Sequence, residues 1–308
     1  MRWLEKPYHS LDYEMKKQFG CKVYRLALDG GCSCPNRDGK IGYGGCIFCS
    51  AGGSGDFAAD RKLSVTQQIL MQEMQIRSKR PVDSFIAYFQ AYTGTYAPAE
   101  HLRSIFTEAV ERPEVKVLSI ATRPDCLPPG VLELLARLRE RKPVWVELGL
   151  QTIHEDTARF IRRGYALEVF EKAVSDLRSI GIDVIVHLIL GLPGEDRDRM
   201  LQSVRWLNDR DIQGVKLQLL HILRGTDLAA YYLAHPFPVM TQEAYTGLVI
   251  DCLEHLRSDI VIHRLTGDGP SELLIAPDWS RNKRSVLNGI HSAMKMQGAW
   301  QGRLVNES

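Results

Sequence analysis

From residue 22 onward, short apolar runs alternate with longer segments in which apolar residues recur every three or four positions. The short runs predict strands and the longer segments predict helices. Strands are expected at 22–29, 84–90, 115–122, 144–151, 182–190 and 214–221. Helices are expected between them, at 65–79, 97–111, 129–141, 166–181 and 195–210.

The predicted strands are mostly continuous runs of Val, Ile and Leu, which is typical of a parallel sheet covered on both faces. Six strand–helix units in succession predict an α/β fold, a partial (β/α)6 TIM-like barrel. Beyond residue 221 the regularity ends, with helices expected at 241–256 and 281–297 and a strand at 259–266. We therefore divide the chain into an N-terminal extension (1–21), a core (22–223) and a C-terminal extension (224–308) packed on the barrel.

The distribution of charged residues along the chain suggests a binding partner. The chain has a net charge of +2, but residues 1–28 carry six basic and three acidic side chains, and residues 281–308 carry five and one. Two basic ends on an acidic body suggest a polyanionic partner, while a solvated surface is the simpler explanation. Candidate phosphate contacts are Lys16, Lys17, Lys22, Arg281, Lys283 and Arg284. Aromatic residues in the same ends, such as Tyr8 and Trp279, are expected to anchor the ends to the core rather than stack on bases.

The role of the cysteines depends on the compartment in which the protein works. The first residues contain no apolar run typical of a signal peptide. The longest apolar stretch, "GIDVIVHLILGL", is interrupted by Asp183 and His187, so no contact with a membrane is expected. These features predict a cytoplasmic protein, in which thiols stay reduced and clustered cysteines bind metal or act in catalysis.

Four of the seven cysteines lie in one loop after the first predicted strand: Cys32, Cys34, Cys46 and Cys49. Four thiolates would make a closed zinc site, whereas three would hold a [4Fe–4S] cluster and leave one iron without a protein ligand. The spacing does not separate these alternatives. The position of the loop favours a reactive centre, because active sites of such barrels lie at the carboxyl ends of the strands.

The loop resembles that of radical S-adenosylmethionine (SAM) enzymes, in a subgroup related to the Elongator catalytic subunit. The matching motifs are "CPNRDG" (34–39) and "GGCIFC" (44–49), and the resemblance continues through "YFQAYTGTYAP", "IATRPDCLP", "VELGLQTIHEDT", "GLPGE", "RLTGDGP" and "NKRSVLNGI". It covers nearly the whole chain. The loop departs from the commonest radical SAM spacing, C-x3-C-x2-C, which indicates a variant subgroup.

The resemblance implies that Cys34, Cys46 and Cys49 hold a [4Fe–4S] cluster and that SAM chelates its open iron. One electron from the cluster would then cleave SAM to a 5′-deoxyadenosyl radical. The subgroup usually has an aromatic residue where Cys32 stands, so Cys32 is expected to be a bystander.

Polar residues at the predicted strand ends are the candidates for holding SAM. Glu147 and Gln151 would accept hydrogen bonds from ribose or amino groups, and Arg163 would grip the carboxylate through two parallel bonds. The backbone around Leu192 would pack beside adenine. The full set of candidate SAM contacts is Gln90, Thr122, Arg123, Asp125, Glu147, Gln151, Arg163 and Leu192.

Candidate catalytic residues are Gln90, Glu147, His187 and His221. Each has a structural alternative: Glu147 as a satisfied core carboxylate, and the two histidines as hydrogen-bonded packing residues. Gln218 is expected to pack in the barrel. A further group on the tail would face the substrate or pair within itself: Asp251, His263, Arg264 and Asp268.

The sequence looks most similar to a bacterial, MnmL-type branch that acts on the wobble uridine of tRNA. This implies conversion of 5-carboxymethylaminomethyl-(2-thio)uridine to 5-aminomethyl-(2-thio)uridine, with tRNA and an electron donor such as flavodoxin or ferredoxin as partners. Two alternatives stay open: a radical SAM enzyme with a non-tRNA substrate, and a non-catalytic, zinc-stabilised RNA-binding barrel.

Overall fold

The computed structural model describes Trp3 and residues 5–305, which contain a parallel sheet curled into an open half-barrel. The strands in this part of the chain are β1 (Tyr24–Leu28), β2 (Phe85–Phe89), β3 (Val115–Thr122), β4 (Val144–Gln151), β5 (Asp183–Leu190), β6 (Gly214–Leu219), β7 (Ile222–Leu223), β8 (Val261–Arg264) and β9 (Leu274–Ala276). The large sheet has the spatial order β1-β2-β3-β4-β5-β6-β8, while β7 and β9 form a separate antiparallel pair. The predicted partial barrel is confirmed, and β8 adds a seventh parallel strand to the six expected.

Ten α-helices are described: α1 (Leu11–Phe19), α2 (Val65–Arg77), α3 (Ala99–Glu111), α4 (Pro129–Arg139), α5 (Glu155–Phe160), α6 (Leu167–Ser179), α7 (Arg197–Trp206), α8 (Asp227–Ala234), α9 (Gln242–Glu254) and α10 (Lys283–Gln297). All seven helices expected from the sequence are present, and α1, α5 and α8 are additional. Within the described residues, none of the helices combines the length and the apolarity needed to cross a bilayer.

Alternation along the strands divides the core into two layers. Side chains such as Phe85, Phe89 and Leu118 face outward and are buried under the helices. The alternate positions face the barrel interior, where Tyr88 and Trp145 belong to a smaller apolar cluster. Polar residues occupy further interior positions, so the barrel has an apolar shell and a partly polar lumen.

The two edge strands, β1 and β8, leave a lateral opening that the N-terminal segment partly fills. Ser10 pairs with Ile262 of β8, and the backbone N–H of Ile262 donates to the carbonyl of His9 over 2.7 Å. Met15 of α1 is buried among the interior apolar residues. Gln301 joins the opposite end of the chain to this segment, because its side-chain oxygen accepts a bond from the His9 N–H.

Candidate active site

The cysteine loop connects β1 to α2 and lies at the carboxyl end of the sheet. Cys34, Cys46 and Cys49 line one cavity of about 750 Å³ that extends into the half-barrel. Arg37 ties the loop together, since its guanidinium donates to the carbonyls of Cys49 (3.2 Å) and Ser50 (2.5 Å). The three thiols are therefore held on the wall of a shared space by contacts made within the loop.

All three cysteines are half-buried, and desolvation raises the pKa of Cys46 to about 12 and also raises the pKa of Cys49. The positive charges of Arg123 and Arg37 act in the opposite direction on the pKa values of Cys46 and Cys49, respectively. Metal binding needs the thiolate form, so ligation at these positions releases protons.

Cys32 has different surroundings from the other loop cysteines. Its thiol packs in the main core and points to the carbonyl of Gly94 at 3.5 Å. Burial raises the pKa of this thiol to about 12. These contacts place the Cys32 thiol in the core, away from the cavity that the other three thiols line.

The remaining three thiols share the cavity wall with polar side chains that lack partners within the described residues. Several buried polar atoms on the cavity wall have no hydrogen-bond partner in the described chain: Arg25 Nε, Thr93 Oγ1, Gln151 Oε1, His221 Nε2 and Thr266 Oγ1. Three thiols beside a cavity of orphaned polar atoms fit a cluster with an open iron and a polar cofactor bound to it.

Six of the eight predicted SAM contacts line this cavity: Gln90, Thr122, Arg123, Glu147, Gln151 and Arg163. Gln90 follows β2 and donates its amide to the carbonyl of Ser54 at 2.6 Å, which fixes its orientation at the cysteine loop. Gln151 ends β4 with a φ of +67°. That left-handed conformation is unusual for glutamine and favours a functional constraint, since its orphaned oxygen lies on the cavity wall.

Arg163 is almost fully buried, and structural contacts occupy most of its donors. The guanidinium donates to the carbonyls of Tyr165 (3.0 Å), Leu150 (3.3 Å) and Thr152 (2.7 Å) and to the carboxylate of Glu155 (2.7 Å). Arginine has five N–H donors, so one is left, and a two-bond grip on a carboxylate would require breaking one of these four bonds. The geometry favours a role in shaping the wall at the end of β4.

Asp125 and Leu192 lie outside the cavity wall. Asp125 accepts two bonds from Arg123, at 2.8 and 2.9 Å, and borders a separate groove on the outer side of the cysteine loop. Leu192 is buried in an apolar cluster with Ile47 and Ile161. Their predicted contact with SAM therefore has no support in this arrangement; Asp125 holds Arg123 in place and Leu192 packs beneath the loop.

Glu147 is the centre of a buried network. It forms an ion pair with Lys216 of β6, accepts a bond from Ser119 Oγ (2.9 Å), and contacts His187 Nε2 (2.8 Å). Arg25 lies 3.5 Å from the same carboxylate. The cations around it outweigh the cost of burial and hold the pKa of Glu147 well below its usual range.

The two predicted histidines are neutral in these surroundings. Burial, reinforced by the positive charge of Lys216, lowers the pKa of His187 to about 4. Burial likewise lowers the pKa of His221 to about 4. His187 is held between Glu147 and Gln218, so its position is fixed, whereas His221 Nε2 is buried with no hydrogen-bond partner among the described residues.

Arg25, Tyr88 and Lys216 belong to this site and were not predicted from the sequence. Lys216 also donates to Tyr88 Oη at 3.1 Å, and Arg25 lies over the Tyr88 ring at 5.3 Å. The sequence did contain a sign of them. Lys216 and Gln218 occupy alternate positions of an otherwise apolar strand, and alternate residues of a barrel strand face the interior.

Comparison with known proteins identifies the family. Residues 34–207 match the Radical SAM superfamily model, and residues 212–296 match the Radical_SAM C-terminal domain. Protein YtqA of Bacillus subtilis (strain 168) is 46% identical over 299 residues, covering 97% of this chain and 93% of that protein. Protein YhcC of Escherichia coli (strain K12) is 36% identical over 282 residues, covering 91% and 90%. A tRNA uridine(34) acetyltransferase of Methanocaldococcus jannaschii is 32% identical over 114 residues, which are 36% of this chain and 20% of that protein.

Solved structures share the fold. The Methanocaldococcus infernus Elp3 with an N-terminal deletion superposes with a TM-score of 0.67 at 16% identity, covering 93% of this chain and 67% of that one. Methylornithine synthase (PylB) gives a TM-score of 0.55 at 14% identity, covering 96% and 88%. Together with the cysteine loop at the mouth of the half-barrel, these matches show that the chain belongs to the radical SAM superfamily, as an enzyme of the Elongator-like subgroup that cleaves SAM reductively.

Proposed function

We propose that the enzyme converts 5-carboxymethylaminomethyl-(2-thio)uridine to 5-aminomethyl-(2-thio)uridine at the wobble position of tRNA. The observation that carries the proposal is the meeting of the two basic ends at the active-site cavity. Lys6 from the N-terminal segment and Lys283 from α10 both line it. The relatives named for tRNA uridine(34) acetylation add support for a substrate at the same nucleotide.

The two ends are joined by direct contacts. Tyr8 Oη and His291 Nε2 of α10 lie 2.7 Å apart, and the Gln301 N–H donates to the carbonyl of Pro7 over 3.0 Å. Trp279 donates to the carbonyl of Met240 at 2.9 Å, and Tyr8 and Trp279 both pack against the main apolar core. These contacts bring the N-terminal segment and α10 together, and one lysine from each, Lys6 and Lys283, reaches the cavity.

Many of these basic side chains remain accessible to phosphate. Lys16, Lys17 and Lys22 are exposed and pair with Asp12 or Glu14 at distances of 2.9 to 4.0 Å. Exposed pairs of this kind contribute at most about 1 kcal/mol, so a phosphate can replace the carboxylate at little cost. Arg281 differs, since it donates to Asp278 and to the carbonyl of Leu274 and serves mainly to fold its own loop.

The residues have distinct tasks in this proposal. Cys34, Cys46 and Cys49 hold the [4Fe–4S] cluster, which when bound supplies the electron for cleavage of SAM. Gln90 and Gln151 orient the cofactor from the ends of β2 and β4. His221 Nε2 offers an acceptor or donor to the substrate at the opposite wall, and the buried Glu147 network keeps the lumen rigid and free of bulk water. The electron itself comes from a small redox protein such as flavodoxin or ferredoxin.

The test is conversion of modified tRNA under anaerobic conditions. Reconstituted enzyme, reductant and SAM are incubated with tRNA that carries the carboxymethylaminomethyl group, and the nucleosides are separated by mass spectrometry. The expected result is loss of the carboxymethyl group together with release of 5′-deoxyadenosine, both abolished in Cys46→Ala. An unchanged nucleoside profile with continued SAM cleavage would point to a different substrate and refute the proposal.

A further inference from the structure

The inner half of the cavity contains more positive than negative charge. Among the described residues there, Arg25, Arg264 and Lys283 line the cavity, and Lys216 is buried against the carboxylate of Glu147. Two carboxylates, Glu147 and Asp268, face these four cations. Buried charge of one sign is costly unless it is paired, so an excess of cations in a cavity indicates a place for an anionic ligand.

A β-bulge aims two of the residues on β8 into this space. Val215 pairs with Ile262 and Lys216 pairs with Arg264, so His263 is an extra residue on the β8 side. Bulges of this kind redirect side chains and are common beside active sites. As a result, the consecutive residues His263 and Arg264 both line the cavity.

Arg25 approaches the same point from the opposite edge of the sheet. Its Nη2 donates to His263 Nδ1 over 2.9 Å, so the side chain reaches from β1 across the lateral opening to β8. Burial and the neighbouring charge of Arg25 lower the pKa of His263 well below its usual range, which keeps that imidazole neutral. The carboxylate that offsets the charge of Arg25 is Glu147, at 3.5 Å, and Lys216 shares that carboxylate.

Both guanidinium groups have donors to spare. Arg25 Nε is buried with no hydrogen-bond partner among the described residues. The contacts of Arg264 within the described chain are long, at 3.4 Å to Gln218 Oε1 and 3.7 Å to Asp268 Oδ2. A planar guanidinium with free N–H groups matches the two oxygens of a carboxylate.

We infer that Arg25 and Arg264 bind the carboxylate of the nucleoside side chain that the enzyme modifies. The inference rests on the proposed function for the identity of that nucleoside. Arg25 lies three residues before the end of β1, which places it about 10 Å below the edge that carries the cysteine loop. The site is thus deeper than the cluster, on the side where the lateral opening admits a substrate.

The experiment compares two short anticodon stem-loop RNAs, one with 5-carboxymethylaminomethyluridine and one with its methyl ester. Binding to the reconstituted holoenzyme with SAM is measured for wild type, Arg25→Lys, Arg264→Gln and Arg264→Lys. Arg103→Gln, which removes an exposed arginine on α3, is the matched control. Thermal unfolding of each variant, and its affinity for SAM, are recorded in the same preparations.

Wild type is expected to bind the carboxylate RNA about 10- to 100-fold more tightly than the ester, the range of a charge-assisted hydrogen bond. Arg264→Gln should bring this ratio close to one, the two lysine variants should keep part of it, and Arg103→Gln should keep all of it. Affinity for SAM should not change.

Equal binding of the two RNAs by wild type would overturn the inference, as would an unchanged ratio in a folded Arg264→Gln variant. A loss of SAM affinity with the ratio intact would assign the arginines to the carboxylate of SAM instead. Failure of the proposed function has a different signature, namely a preserved preference for the carboxylate RNA without conversion to the aminomethyl product.

Discussion

Replacing Glu147 with glutamine removes one charge from the buried network and nearly nothing else. Glutamine can still accept the bond from Ser119, which is 2.9 Å from the carboxylate. Lys216, however, loses its counterion and keeps Tyr88 Oη, at 3.1 Å, as a neutral partner in the network. Breaking one side of a buried ion pair costs about 3–5 kcal/mol, a large part of the roughly 5–15 kcal/mol typical of whole proteins.

The unpaired lysine also gives this variant a particular pH dependence. Burial already lowers the pKa of Lys216 well below its usual range, and without Glu147 it is expected to fold in the neutral form. The unfolded chain holds that proton up to about pH 10.4, so unfolding takes up a proton and stability rises as the pH rises toward that value.

Urea unfolding of wild type, Glu147→Gln and Glu147→Gln/Lys216→Met, followed by circular dichroism from about pH 6 to about pH 10, measures both effects. The double variant should recover most of the missing stability and show no such pH dependence, because it removes the buried lysine; Arg25 also loses its carboxylate, but its side chain is partly exposed and still donates to His263. A cost below about 1 kcal/mol in the single variant, or a double variant less stable than the single one, would refute the reasoning.

Three other predictions concern the loop, the surface and the histidine at the mouth. Cys46→Ala should abolish iron binding, whereas Cys32→Ala should keep the iron and lose only packing energy. Iron content after anaerobic reconstitution distinguishes the two variants, and equal iron loss in both would contradict the assignment of ligands. Replacing Lys283 and Arg284 with glutamine should weaken tRNA binding and reduce the slope of log K against log salt by about 0.7–0.9 for each phosphate that is no longer bound, and an unchanged slope would count against this surface. Burial lowers the pKa of His221 to about 4. Between about pH 6.5 and 4 the unfolded chain therefore binds a proton that the folded chain does not, and stability should fall as the pH drops through this range. His221→Gln should flatten that part of the profile, and an equal fall in the stability of the variant would show that other groups cause it.

Strand positions and the cysteine loop followed well from the sequence because both depend on local pattern. The apolar runs marked the first six strands of the barrel, and the spacing of the loop carried the family resemblance. The helix α1 was missed because Met15 is its only buried residue, which leaves almost no apolar period to detect.

The interior of the site was harder to predict because its partners are distant in the sequence. Lys216 and Glu147 are 69 residues apart, and Arg25 and His263 are 238 apart, so only the curled sheet brings them together. Arg163 shows the opposite limit. The sequence shows that Arg163 is a hydrogen-bond donor. It does not show that backbone carbonyls already accept most of its bonds, because the positions of carbonyls depend on the fold and not on residue type.

The contacts between the two chain ends have a consequence for biosynthesis. The N–H of His9 pairs with the side chain of Gln301, a partner 292 residues later, and Ser10 pairs with Ile262. A ribosome adding about 5–20 residues per second needs many seconds to make that stretch. During this time the first segment lacks these native partners, and the side of the barrel beside β1 stays open to the solvent. The wall through which the substrate is proposed to enter is therefore the last part of the enzyme to be completed, after all three proposed cluster ligands have been synthesised.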